Sequence, residues 1–218
     1  MAQFTVIGLG RFGRSAALEL MRLNHAVLGV DHDAKIVDHL ADELSRVVIA
    51  DATDKEALAE LGLNQFDAVL VAIGEDVETA LVCVVHLKSL GIKNIWVKAN
   101  SHTQHLILNK IGVRRIIHPE EEMGIRTAQF ISYPMINDYI SLGSGDFIVE
   151  LTTSAEYDGL PLKKIISPNE KRIETILIKR RASITHRPSL NFILRDADIV
   201  VLFGRLHDLR NIAPKLKK

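Results

Sequence analysis

The passage "TVIGLGRFGRSAALEL", starting at Thr5, constrains this chain more than any other. An apolar run ends in Gly8-Leu9-Gly10-Arg11-Phe12-Gly13 and passes directly into a helical pattern. A strand, a glycine turn and a helix in that order build the first unit of a parallel sheet. Gly8 is read as the tight turn, Gly10 as the place where backbone approaches a phosphate, and Gly13 as the contact that lets the helix lie close to the sheet. The opening turn of such a helix offers unpaired N–H groups and the positive end of the dipole. Asp31 ends the next apolar run, at the spacing of a carboxylate that accepts ribose hydroxyls. Arg11, beside the turn, suits a terminal phosphate better than a bridging pyrophosphate, the alternative being an exposed arginine.

The alternation continues. Strands are expected in "FTVIGLG", "AVLGVD", "RVVIAD", "DAVLVAIG", "NIWVKA" and "RRIIHP". Helices are expected over Gly13–Leu23 (Ala17, Leu20 and Met21 inward), Ala34–Glu43, Lys55–Leu61, Val77–Leu90 (Val77, Leu81, Val84 and Val85 on one face) and His102–Ile111. Strands that are apolar throughout fit a sheet covered on both faces. The fold class is therefore α/β, a Rossmann-like doubly wound parallel sheet over residues 1–119. Residues 120–144 read as a long helical stretch kinked at Pro134, and residues 145–218 as a small α+β domain. The apolar residues of the stretch, Phe130, Ile131, Tyr133, Met135, Ile136, Tyr139 and Ile140, lie on more than one face, which predicts subunit association.

Charge narrows the function. The 27 basic and 27 acidic residues balance, so no net field favours nucleic acid. The single cysteine, Cys83, excludes a disulfide framework and reads as a core residue, as in a reducing compartment. No apolar run is long enough for a bilayer span, so a soluble, cytoplasmic protein is expected. No Lys-Ser/Thr phosphate loop and no Ser-His-Asp pattern stands out, and neither His186 nor His207 has a carboxylate to orient it. His102 and His105 share a helix face but read as surface residues. The basic residues Lys171, Arg172, Lys179, Arg180, Arg181 and Arg187 read first as a solvated face and hairpin.

The segments "VIGLGRFGRSAALEL", "GVDHD", "IADATD", "DAVLVAIG", "NIWVKA" and "RIIHPEEEMG" resemble the regulator of potassium conductance (RCK) family, in particular KtrA-type regulatory subunits of bacterial Ktr potassium uptake systems. The likeness spans nearly the whole chain. It implies a nucleotide sensor rather than an enzyme, binding ATP or ADP, with dimers assembling into an octameric ring beneath a membrane-embedded potassium transporter. It implies peripheral attachment to the inner face of the membrane through that transporter. Residue by residue, Arg11 would approach the terminal phosphates and Asp31 the ribose. Asp51 and Ala52 would border the adenine, Ile73 and Gly74 would flank the nucleotide, and Lys98 would face phosphate. Glu120 would reach a neighbouring subunit's site and help hold Mg2+ or Na+. Cyclic di-AMP in the C-terminal domain is a further implication. The alternatives are an NAD/NADH-responsive regulator of the Trk class and, behind it, a small NAD-dependent oxidoreductase. From the residues alone, Lys98 could be a solvated strand-end lysine, Asp51 and Asp54 helix or turn caps, and Glu120 to Glu122 a favourable charge at a helix start.

Overall fold

The computed structural model describes residues 1–74, 76–132, 136–167 and 172–212. The chain forms two compact units, Met1–Glu122 and Met123–Lys218. In the first, β1 (Gln3–Ile7), α1 (Arg11–Arg22), β2 (Ala26–Asp31), α2 (Ala34–Leu40), β3 (Arg46–Ile49), α3 (Lys55–Glu60), β4 (Ala68–Val71), α4 (Val77–Ser89), β5 (Ile95–Lys98), α5 (His102–Ile111) and β6 (Arg115–Ile117) follow in strict alternation. The boundaries depart from the sequence expectation by up to three residues. The strands pair in parallel in the order β3-β2-β1-β4-β5-β6. Strand order therefore reverses between β1 and β4, where such a sheet opens a crevice at its carboxyl edge.

Both faces are covered. Leu58, Cys83, Val84, Leu87 and Leu108 from α3, α4 and α5 pack against Ile7, Val69, Val71, Ile95 and Val97. Ala17 of α1 and Leu40 of α2 join Val6, Leu9 and Val27 in a second cluster. Each large apolar side chain buried in this way stabilises the unit by about 1.5–3 kcal/mol. The inward face of α4 differs from expectation. Val84 is buried and Leu81 is half-buried, but Val77 and Val85 are 39% and 49% exposed. The buried stripe is Ala80, Cys83, Val84 and Leu87. Apolar residues surround this helix, so periodicity could not select its face.

The second unit is an antiparallel sheet in the order β10-β9-β11-β8-β7, built from β7 (Ile136–Gly143), β8 (Asp146–Thr152), β9 (Ile173–Arg180), β10 (Ser183–His186) and β11 (Ile199–Arg205). Before it, α6 (Pro119–Ser132) leads out of the first unit, and α7 (Leu206–Ile212) follows β11. The core includes Val149, Leu151, Leu162, Ile178, Val200 and Leu202. The expected break at 119/120 falls just before the observed division, but the 120–144 stretch is not helical throughout. Residues 136–143 are a strand, paired from Ile136↔Leu151 to Gly143↔Asp146. Gly143 and Gly145, at φ 85° and 84°, close its turn onto β8 in a region that suits glycine. Tyr139 packs its ring against Phe130 and Phe147. Pairing with β8 thus decided a segment whose apolar residues read equally well as a helix. Tyr133, Pro134 and Met135, which the helical reading included, lie outside the described residues. On α6, Met123, Ile125 and Ile131 are exposed.

The basic residues of this unit do not make one free patch. Arg180 forms two bonds of 2.8 and 2.7 Å with Asp198, a carboxylate only 1% exposed, and Lys179 pairs with Glu150 at 2.9 Å. Burial opposes the charge on Asp198, but bonds from Arg180 and the Arg195 amide hold its carboxyl below the usual range. Arg181 lies at the β9–β10 turn with φ 53°. Lys171 lies outside the described residues.

Candidate functional site

The glycine turn carries out three separate tasks. Gly8 adopts φ 90°, and a Cβ there would stand 3.1 Å from the backbone of Ala72 and Ile73 at the end of β4. At Gly13 a Cβ would fall 1.9 Å from the Gly8 carbonyl oxygen, so no side chain fits between α1 and the turn. Gly10 is different. A Cβ there would meet nothing within 4 Å, and the position opens onto a cleft.

Helix ends sharpen the contrast. The α2, α3, α4 and α5 amides are capped by Asp33, Asp54, Asp76 and Ser101. Helix α1 starts at Gly10 with no side-chain cap. Its first-turn amides keep their hydrogen-bonding capacity and their positive potential toward the cleft, an arrangement that suits an anion.

The cleft has a volume of about 1250 Å³ and lies at the carboxyl edge of the sheet, at the strand-order reversal. Asp31 stands 7% exposed at the end of β2. Its Oδ2 accepts the Leu9 amide at 2.6 Å, and its Oδ1 accepts the Asp33 amide at 2.9 Å. The carboxylate therefore fastens the glycine turn while retaining lone pairs for ligand hydroxyls. Arg11 is exposed on the lining and makes no ion pair within 4 Å among the described residues. Lys98 is 9% exposed, with Nζ 2.5 Å from Glu120 Oε1 and 6.0 Å from the Phe12 ring centre. That bond holds the Glu120 carboxyl below its ordinary value, with Arg11 adding a smaller pull. Gly74 makes room for the lysine, since a Cβ there would stand 2.9 Å from Nζ.

Gly8, Gly10, Arg11, Phe12, Asp31, Asp51, Ala52, Ile73, Gly74, Lys98 and Glu120 all line the cleft. Gly13 does not, and acts by packing. Asp51 has a second use, accepting the Thr53 amide and hydroxyl at 2.8 and 2.7 Å; these bonds, with His32 nearby, hold its carboxyl low. Asp54 caps α3, as the plainer reading of it had it. Within one chain, Glu120 lines the chain's own cleft. Sequence reasoning missed His32, Asp76, Thr79 and Asn100, which also line it. Asp76 was legible as a helix cap, since it accepts the Glu78 and Thr79 amides. Asn100, donating to the Gly74 carbonyl, carried no local signal. His102 is exposed, as expected, but His105 is half-buried against His118. Among the described residues, no group of three or more His, Cys, Asp or Glu is arranged to hold a metal ion.

The TrkA-N domain model matches residues 4–119, the segment that builds this sheet and cleft. The chain belongs to the TrkA-N family. It is 39% identical over 211 residues to "Ktr system potassium uptake protein A" of Bacillus subtilis (strain 168), covering 95% of this chain and 94% of that protein. To the protein of the same name from Vibrio alginolyticus it is 34% identical over 209 residues, covering 96% and 95%. It is thus of the KtrA type of RCK protein, and the relatives it matches are named as potassium uptake proteins of Ktr systems. Among solved structures, the "GsuK Channel" matches all of this chain with a TM-score of 0.67 and 17% identity, a likeness of fold. The chain spans 40% of that channel chain. No described helix is long and apolar enough to cross a membrane.

Proposed function

We propose that this TrkA-N family member is a cytosolic regulatory subunit that binds ATP or ADP in the cleft and gates potassium uptake through a nucleotide-dependent change in a ring assembly. The observation that carries this reading is the uncapped start of α1, set behind a glycine turn that Asp31 fastens. A ligand with a ribose and a phosphate chain satisfies both ends of that arrangement. Arg11 and Lys98 supply the cations for the phosphates, and Asp51 and Ala52 border the base. Glu120 is an exposed oxygen donor on the rim, of a kind that suits a hard cation such as Mg2+ or Na+. The phosphates would complete the shell. The exposed apolar residues of α6 support contact between subunits in a dimer or larger ring. Attachment to the inner membrane face would then run through the transporter.

The mechanism is differential binding: a nucleotide shifts an assembly only by binding its two forms unequally. ATP and ADP differ at the terminal phosphate, and Arg11 is the cation placed to read it. A dinucleotide is the second reading. Asp31 would serve its ribose equally well, and one fold neighbour is described as "GsuK channel bound to NAD". Titration calorimetry with ATP, ADP and NADH tests both. Tighter binding of ATP and ADP than of NADH supports the first reading, and the reverse order replaces it with the second. Arg11→Ala should weaken ATP more than ADP, by about tenfold to a hundredfold for one lost charge-assisted contact. Equal weakening would remove Arg11 from the terminal phosphate.

A further inference from the structure

Outside the cleft, two imidazole nitrogens face each other. Nδ1 of His105, in the first turn of α5, lies 2.9 Å from Nε2 of His118, at the β6–α6 junction. Their rings meet edge to edge, with centres 5.1 Å apart and planes at 21°, and His102 lies beside His105 with centres 6.3 Å apart at 8°. Among the described residues, no carboxylate lies within ion-pair distance of His105 or His118. Neither residue lines the nucleotide cleft. We propose that His105 and His118 form a two-imidazole clip for a borderline divalent transition metal, Cu2+ or Ni2+.

Distance and chemistry support this assignment. Imidazole nitrogens bind such ions at about 2.0–2.1 Å. Two bonds of that length at a right angle separate the nitrogens by roughly 2.9 Å, and at a tetrahedral angle by roughly 3.3 Å. The observed separation matches neighbouring positions of a square-planar or tetragonal ion, the geometry of Cu(II) and Ni(II). The same separation suits an N–H···N hydrogen bond, so one proton holds the pair when no metal is present. When the ion enters, that proton moves to the other nitrogen of its own ring. Each ring then gives one lone pair to the metal, with no change of oxidation state. With bonds of about 2.05 Å at this separation, each lone pair must swing about 45° off the line between the nitrogens, a reorientation shared by the χ1 and χ2 torsions of both side chains. The two ligands come from separate elements, and water would fill the remaining positions. Bound metal would tie the start of α5 to the junction two residues before Glu120.

The test uses the full chain in a non-chelating buffer, with Cu2+ and Ni2+ as the probes. Titration calorimetry should give one ion per chain, and Cu2+ paramagnetic resonance should show coupling to two imidazole nitrogens. His105→Gln and His118→Gln should each weaken binding at least tenfold and reduce the coupling to one nitrogen. Thermal melts without metal check that each variant folds. His102→Gln should change binding by less than twofold. Absence of stoichiometric binding, no effect of His118→Gln in a folded variant, or an equal loss in His102→Gln would overturn the clip. The last result would assign the metal to scattered surface histidines, of which a chain with nine histidines has several. No nucleotide is present in these measurements, so they succeed or fail independently of the proposed function.

Discussion

Asp31→Ala separates the two duties of one carboxylate. In the native chain Oδ2 accepts the Leu9 amide at 2.6 Å, and Leu9 is 2% exposed. The variant leaves that amide buried without a partner. A lost bond to a charged group costs about 1.5–3 kcal/mol. The Asp33 amide, bonded to Oδ1 at 2.9 Å in a half-buried setting, turns to water and adds little. The ligand-free chain should therefore lose about 2–3 kcal/mol. At about 2–4 °C per kcal/mol for a chain of this size, Tm should fall by roughly 4–12 °C. Binding changes separately. ATP and ADP carry the same ribose, so loss of its acceptor should weaken both by about tenfold to a hundredfold. Scanning fluorimetry of the ligand-free protein reads the first effect and calorimetry with each nucleotide the second. Asp31→Asn keeps one oxygen acceptor and should recover part of the melting temperature with less of the affinity. An unchanged Tm in Asp31→Ala would refute the fastening role. Unchanged affinity for both nucleotides would remove Asp31 from the site, and loss for only one would place it at the phosphates.

Gly10→Ala puts a methyl group into open space in the ligand-free chain, so it should cost only about 1 kcal/mol as a poorer helix cap. Nucleotide binding by calorimetry should nonetheless fall at least tenfold, and an unaffected affinity would mean that no ligand approaches this backbone. The Glu120 carboxyl is held below its ordinary value of 4.5 by Lys98, so their pair stabilises the folded chain above that value and is lost as pH falls through the lowered one. Lys98→Met should flatten the decline of stability on acidification below about pH 4.5, measured by urea titrations; identical slopes would discount the pair. Arg180→Met strands Asp198 at 1% exposure and should destabilise the chain by about 2–4 kcal/mol, less than a fully buried pair because the guanidinium is partly solvated. Burial pushes the Cys83 thiol up to about 12, so a thiol reagent should label it only on unfolding, and rapid labelling of the folded chain would contradict its place in the core.

The first unit was legible because its signals are local and agree with one another. Continuous apolar runs, the glycine turn and the acidic residue ending β2 each point to one topology. The second unit was half legible. In the expected α+β domain, "FIVELTT", "IETILIKR" and "DIVVLFG" form strands, whereas "INDYISLG", read as part of a helical stretch, did not form a helix, because its partner lies across a hairpin that periodicity does not register. At the site, glycines and strand-end charges were readable from spacing. Asn100 and the His105–His118 contact were not, because the fold brings them together from separate elements. Asp51 was readable in two ways, and it both lines the cleft and shapes the loop.

The link between Lys98 and Glu120 has a consequence for selectivity among small ions. With the Lys98 ammonium already matched to a carboxylate at 2.5 Å, the cleft presents less bare positive charge than its lysine and arginine alone would suggest. Chloride or inorganic phosphate arriving alone must compete with an attached anion for Lys98, and neither offers a sugar to Asp31. A larger ligand anchored elsewhere along the cleft meets the same competitor at high local concentration. If the proposed nucleotide binds here, the carboxylate would act as a built-in rival and discriminate against the abundant simple anions that a cluster of bare cations attracts.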